Sequence, residues 1–258
     1  LVTLLGKKHS FESFIRKHLR SQITMRFFYD STNSPTVLDR RYLDQYTQQK
    51  QFQIRYMSEE IINGKVEAKI IAYLKKELPH YDMVVVNDYG QGLLTSKIIR
   101  LICRRARFLA LNVQANSANF GFNVVTKYPR ADFIVMDEQE LRLATHDKFS
   151  DLAKLAKRIA RKLDCQELVV TRGPYGSLGV AQKSGIAISP ALSTTIVDRV
   201  GAGDAFFAIA GAAAAVGFDI NLVSFLGNVA SALKLQTVGN RTSIDFKEMT
   251  KFITRLFK

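Results

Sequence analysis

The 258-residue sequence carries 37 Lys and Arg against 23 Asp and Glu, a formal net charge of +14, with 47% hydrophobic residues and only 5 Pro. That length and apolar content fit one folded domain with a sizeable core and exclude a long disordered or linker-like chain. The softest stretch, Ala205 to Phe218, is mostly Ala and too short to cross a bilayer. The first ten residues lack the regions of a secretory leader, so no membrane contact and a cytoplasmic location are expected.

In chain order, Val2 to Leu5 reads as a short strand and His9 to Leu19 as a helix. Val37 to Tyr42 and Gln51 to Met57 alternate polar and aromatic residues, so two half-exposed strands are expected, with Tyr42, Tyr46, Phe52 and Tyr56 on an amphipathic face. Met83 to Asn87 is a β-branched run, followed by the loop Asp88 to Gly92. Thr95 then caps a periodic stretch from Ser96 to Arg107. Phe108–Asn112, Asp132–Met136 and Glu167–Thr171 read as strands, and 138–144 as a helix. Asp151 to Leu163 is strongly amphipathic, with Leu152, Leu155, Ala156, Ile159 and Leu163 as its buried stripe. Strands separated by helices predict an α/β fold with a mostly parallel sheet flanked by helices. Such sheets bind ligands at the carboxyl ends of their strands. The loops at Asp88, Asn112, Asp137 and Arg172 fall at such ends.

Cys103 and Cys165 have no metal-like spacing and read as reduced thiols. The positive residues are spread along the chain. The tightest group is Arg100, Arg104, Arg105 and Arg107, with no zinc-finger or helix-turn-helix pattern to suggest nucleic acid.

The strongest local signal is the run from Val197 to Asp204, V-D-R-V-G-A-G-D, before a helix rich in small residues. Glycines there let the backbone approach an anion, and a helix start supplies unpaired N–H groups and a positive dipole end. Asp204 in the first turn could take the proton of an attacking hydroxyl. The same run could equally be a tight turn with Asp204 capping a helix. It is neither G-x-x-x-x-G-K-S/T nor G-x-G-x-x-G.

This run resembles the D-T-x-G-A-G-D signature of the ribokinase-like (PfkB) carbohydrate kinase family. Further stretches agree in order. They are 37–57 as lid strands, V-V-V-N-D-Y-G-Q-G-L-L from Val84, the segment 133–140, V-V-T-R-G-P-Y-G from Val169, and 228–239. Within the family the chain resembles the kinase domain of bifunctional heptose-phosphate kinase/nucleotidyltransferases. The resemblance implies a ribokinase-like fold with a small β lid. It makes 1–258 a partial kinase domain, with 36–58 as lid strands and 81–258 as the nucleotide-binding and catalytic core.

It also implies phosphoryl transfer from ATP, with Mg²⁺, to a sugar or sugar phosphate. Asp204 would be the general base, and Gly201, Ala202 and Gly203 an anion hole. Asp137, Thr171, Gly173, Gly176 and Asn228 would border the nucleotide. Asp88, Arg41 and Lys50 would lie on the acceptor side, with Asp88 contacting the sugar phosphate or holding its loop. Glu140 would organise Mg²⁺, and Asp198 a monovalent cation such as K⁺. A homodimer through the lid and a fused nucleotidyltransferase domain are implied partners.

Several positions depart from the family pattern. Arg199 stands for Thr, Asp137 for Asn, and Gln91 and Asn112-Val-Gln114 replace segments that carry lysines. The G-D strand end and G-G-x-x-N segment expected at the front do not appear. These departures support a rival reading, a kinase-like regulatory or scaffold domain that retains nucleotide binding, and the +14 charge alone supports a second, a basic nucleic-acid-binding module.

Overall fold

The computed structural model describes residues 1–30, 34–46, 50–57, 60–193, 196–239 and 242–258. Residues 47–49 and 58 of the predicted lid therefore lie outside the described residues, as do 194 and 195 just ahead of the glycine run. The chain divides into two compact units, Leu1–His80 with Gly90–Arg105, and Tyr81–Tyr89 with Ala106–Lys258.

In the first unit, β1 (Val2–Leu5) pairs in parallel with β2 (Arg26–Tyr29), and α1 (Glu12–His18) connects them. The predicted helix from His9 starts late. His9 and Phe11 both take φ of 53°, outside the right-handed helical region, so helical turns begin only at Glu12. β3 (Leu38–Leu43) and β4 (Lys50–Tyr56) form an antiparallel ribbon. Arg55 forks onto both carboxylate oxygens of Asp39, and the rings of Tyr42 and Phe52 stack 4.4 Å apart. α2 (Gly64–Glu77) is capped by the Asn63 side chain and packs against α3 (Ser96–Arg105), whose start is capped by Thr95 as expected. Lys75, Lys97, Arg100, Arg104 and Arg105 line a groove between these two helices.

The second unit is built on six strands: β5 (Met83–Asp88), β6 (Phe108–Val113), β7 (Phe133–Asp137), β8 (Glu167–Thr171), β9 (Ser177–Ala181) and β10 (Gly185–Ser189). Their order is β10-β9-β8-β7-β6-β5. β5 to β8 are parallel, while β9 and β10 return antiparallel as a hairpin. The hairpin is the one departure from the parallel pattern that the alternation of strands and helices predicts. α4 (Glu138–Thr145) and α5 (Leu152–Lys162) follow β7, and the stripe Leu152, Leu155, Ala156, Ile159 and Leu163 is buried as predicted.

α6 (Ala202–Ala215) and α7 (Ile220–Lys234) pack on each other and on the sheet, and α8 (Phe246–Leu256) closes the chain. Phe206, Phe207 and Ala210 of α6 join Ala110, Phe133, Val135 and Val169 in one core cluster. Strand alternation sends Ile134, Met136, Leu168 and Val170 to the opposite buried face, where α4 and α5 pack. The small residues of α6 serve this packing. A Cβ on Gly227 of α7 would come within 2.6 Å of the Phe206 ring, so glycine is needed for the helices to meet. Both cysteines are buried and neither forms a disulfide. Among the described residues, no helix is long and apolar enough to cross a membrane.

Candidate functional site

The carboxyl ends of β5 to β8 and the start of α6 all belong to the second unit. Gly201 is the N-cap of α6 and takes φ of 83°, a conformation glycine adopts at little cost. It has no side chain to cap the first turn, and of the early amides that of Ala202 makes a long bond, 3.4 Å, to the Arg199 carbonyl. A Cβ on Gly203 would meet open space. Asp204, one residue on, is exposed.

Three contacts hold this turn. Ser231 Oγ of α7 donates to the Ala202 carbonyl at 2.8 Å. Asp198 Oδ1 accepts from the Val200 amide at 3.0 Å, and Oδ2 from the Gly239 amide at 2.7 Å. Asp198 is therefore a brace between the loop ahead of α6 and the segment after α7.

Opposite Asp204 is Tyr89, at the end of β5. Its hydroxyl donates to Asp204 Oδ1 at 3.3 Å. Burial, then the Asp204 carboxylate, push the Tyr89 phenol up to about 12, so it remains a donor at neutral pH. The Tyr89 carbonyl accepts from the side-chain amides of Asn116 and Asn119, at 3.1 and 2.7 Å. Asn123 spans the carbonyls of Asp88 and Gln114, both at 3.0 Å. The Asn-rich loop after β6 thus fixes the end of β5 through its backbone. Asp88 is 3% exposed, and its Oδ2 accepts from Tyr128 and pairs with Lys127, each at 2.6 Å. The Asp88 carboxylate is thus tied to the segment that carries Lys127 and Tyr128.

At β7, Asp137 is the N-cap of α4 and Glu140 its reciprocal partner. Glu140 N donates to Asp137 Oδ1 at 2.7 Å, and Asp137 N to Glu140 Oε2 at 2.9 Å. Asp caps a helix as well as Asn does, so this departure from the family pattern leaves the cap intact. Glu140 Oε1 accepts from the Ala115 amide at 2.9 Å. Burial, then the nearby Asp137 carboxylate, push Glu140 up to about 7. No group of three or more His, Cys, Asp or Glu among the described residues could enclose a metal ion. A Mg²⁺ arriving with nucleotide phosphates needs no such cage, because it keeps most of its waters. Both Glu140 oxygens accept backbone amides, so any contact it made with Mg²⁺ would run through water.

At β8, Thr171 Oγ1 donates to the Met136 carbonyl at 3.4 Å. Gly173 and Gly176 bracket a single 3-10 turn, with φ of 54° and 77°. A Cβ on Gly176 would come within 2.1 Å of the Ser189 carbonyl oxygen. Asn228 of α7 is buried. Its amide donates to Ser177 Oγ at 3.0 Å and Ser189 Oγ at 2.8 Å, tying the β9–β10 hairpin to α7.

Arg41 and Lys50 lie apart from these groups in sequence, on the β3–β4 ribbon of the first unit. Both are exposed and both donate to Gln53 Oε1, at 3.2 and 3.0 Å. Of the basic cluster, Arg107 pairs with Asp82 at 3.0 Å and Lys97 with Glu67 at 3.0 Å. Sequence reasoning assigned no role to Tyr89, Ser231 or the asparagines at 116, 119 and 123. The density of Asn in that loop was the available signal, since Asn side chains bond nearby backbone.

A mixed, mostly parallel sheet with a glycine-led helix start at its carboxyl edge, plus smaller β elements, defines an α/β ribokinase-like fold. The family model "pfkB family carbohydrate kinase" matches residues 1–247. The chain belongs to that family. It is 29% identical over 182 residues to "Bifunctional protein HldE" of Nitrobacter hamburgensis, covering 69% of this chain and 36% of that protein. To the protein of the same name from Geobacter metallireducens it is 27% identical over 188 residues, covering 72% and 38%. The chain thus spans a little over a third of the length of the curated relatives it matches. Among solved structures, phosphofructokinase-2 from Escherichia coli in complex with potassium is similar with a TM-score of 0.79 at 12% identity, covering 100% of this chain and 82% of that one. Ribokinase from Thermotoga maritima gives a TM-score of 0.73 at 17% identity, covering 98% and 80%. At these identities the likeness establishes the fold.

Proposed function

We propose that the chain transfers the γ-phosphoryl group of ATP to a hydroxyl of a sugar or sugar phosphate. The observation that carries this reading is the pairing of an exposed carboxylate, Asp204, with the uncapped start of α6 at Gly201. A carboxylate so close to an anion-attracting helix end would repel a phosphate unless it accepted a proton. Family membership supports the same reaction class.

Asp204 takes the proton of the acceptor hydroxyl as its oxygen bonds to the γ-phosphorus. The bond from that phosphorus to the bridging oxygen breaks, and ADP leaves with the electron pair. Amides at Gly201, Ala202 and Gly203 stabilise the charge on the transferred group. Tyr89 orients the Asp204 carboxylate, and Asp198 with Ser231 holds the turn that presents the amides. Glu140, through water, and Asp137 beside it would hold a Mg²⁺ that, when bound, would neutralise phosphate charge. Thr171, Gly173, Gly176 and Asn228 shape the nucleotide side. Asp88 holds the acceptor loop. Arg41 and Lys50, converging on Gln53, are offered as acceptor-anion contacts.

The exposed stack of Tyr42 on Phe52 supports a second proposal, that the ribbon pairs with that of another copy. An isolated two-stranded ribbon is marginal in water. Light scattering that gives a monomer mass at micromolar concentration would remove this idea.

The test of the kinase reading is ADP release and phosphorylated product on a panel of sugars and sugar phosphates. Acceptor-dependent ADP with a new phosphate ester supports it. Nucleotide binding without transfer to any acceptor would favour a regulatory domain.

A further inference from the structure

Lys234, the last residue of α7, is 6% exposed. Its ammonium donates to the Gly239 carbonyl at 2.6 Å. The amide of the same Gly239 donates to Asp198 Oδ2, and Asp198 Oδ1 accepts from Val200, next to the N-cap of α6. The amides of Val197 and Asp198 in turn donate to the Leu235 carbonyl, at 2.8 and 3.2 Å. A buried ammonium is thus fixed at the joint between the end of α7 and the turn that begins α6. Taking an ammonium out of water is costly unless its surroundings compensate. Here they do so through a strong bond to a carbonyl and the negative end of the α7 dipole.

The family resemblance implies a monovalent cation beside Asp198. The described residues fit that ion poorly. Each Asp198 oxygen already accepts from a backbone amide, and the Gly239 carbonyl, the type of oxygen K⁺ would seek, faces the Lys234 ammonium, whose charge would repel a second cation there. We propose that Lys234 is a positioning residue that supplies from within the chain the positive charge a monovalent cation would bring. It holds Gly239 and, through Asp198, the Gly201 turn, so neither folding nor turnover of this protein requires K⁺. An ordinary lysine at a helix end reaches out to solvent; this one turns inward.

The claim about turnover rests on the phosphoryl-transfer reading, whereas the claim about folding does not. The test uses the full polypeptide in choline, Na⁺, K⁺ and NH₄⁺ chloride at equal ionic strength. Melting temperature and acceptor-dependent ADP release are both measured. For the wild type, both are expected to be the same in all four salts. Lys234→Met is expected to lower kcat on the order of 10- to 100-fold, the scale of a misplaced catalytic turn. Lys234→Ala, which leaves room for an ion, is expected to melt lower in choline and to recover melting temperature and part of its turnover in NH₄⁺ or K⁺.

A wild type that melts higher and turns over faster in K⁺ than in choline would overturn the proposal. So would a Lys234→Ala protein indifferent to salt with wild-type kcat. If no acceptor is phosphorylated, the kinase reading fails while the melting series still decides the role of Lys234. If the variants do not fold, the wild-type salt series decides it.

Discussion

Tyr89 and Asp204 lie 115 positions apart in sequence, yet the tyrosine hydroxyl reaches the carboxylate at 3.3 Å. The contact joins the end of β5 to the first turn of α6, which in the proposed reaction bring together the acceptor hydroxyl and the phosphoryl group. Two asparagine side chains grip the Tyr89 backbone, so the phenol is presented from a fixed strand end.

Removing that hydroxyl while keeping the ring should cost orientation of the base and little else. Tyr89→Phe is expected to lower kcat between about 3- and 10-fold, the range of one modest hydrogen bond. KM for ATP should stay unchanged. Steady-state kinetics decide the matter, and an unaltered kcat would separate Tyr89 from the reaction.

Glu140 gives a pH signature. Its carboxyl is raised from 4.5 to about 7 in the folded chain. Between those values the folded state holds a proton that the unfolded state has lost. The native contribution is therefore fully present below pH 4.5 and declines as pH rises to about 7, by on the order of 3 kcal/mol. Glu167, also raised to about 7, adds a decline of the same sign. Denaturant titrations at pH 5 and 8 should show a smaller loss of stability for Glu140→Gln than for the wild type. Equal losses in the two proteins would mean that Glu140 does not titrate in this window.

Gly227 gives a packing test away from the chemistry. A Cβ there would press on Phe206 at 2.6 Å, in a core with little room to yield. Gly227→Ala should destabilise by about 1–2 kcal/mol, the overpacking cost less the better helix propensity of alanine. Thermal melting would show a fall of several degrees, and an increase would show that α6 and α7 have slack.

Much of the core was legible because its signals are periodic. The stripe on α5 and the apolar runs of β7 and β8 dictate burial directly, whereas Val85 in the β-branched run of the edge strand β5 stays exposed. The hairpin of β9 and β10 was not read as two strands, because its residues alternate small and apolar groups around glycines. Its pairing depends on Asn228 and on the close approach at Gly176, which only tertiary contact reveals. The site was legible where backbone geometry demands a residue type, as at Gly201, or where a cap does, as at Asp137. Tyr89 and Lys234 were not, because nothing local distinguishes a tyrosine that reaches a distant carboxylate, or a lysine that turns inward, from solvated ones. Asp88 is legible as a strand-end residue, but its partners Tyr128 and Lys127, about 40 residues on, are not.

The central claim is that Asp204 takes the proton of the acceptor. Its most direct test is acceptor-dependent ADP release by Asp204→Asn beside the wild type, with ATP binding measured on both. A fall in kcat of about 10²- to 10⁴-fold is expected, with ATP affinity largely retained. Wild-type turnover in the asparagine variant would contradict it.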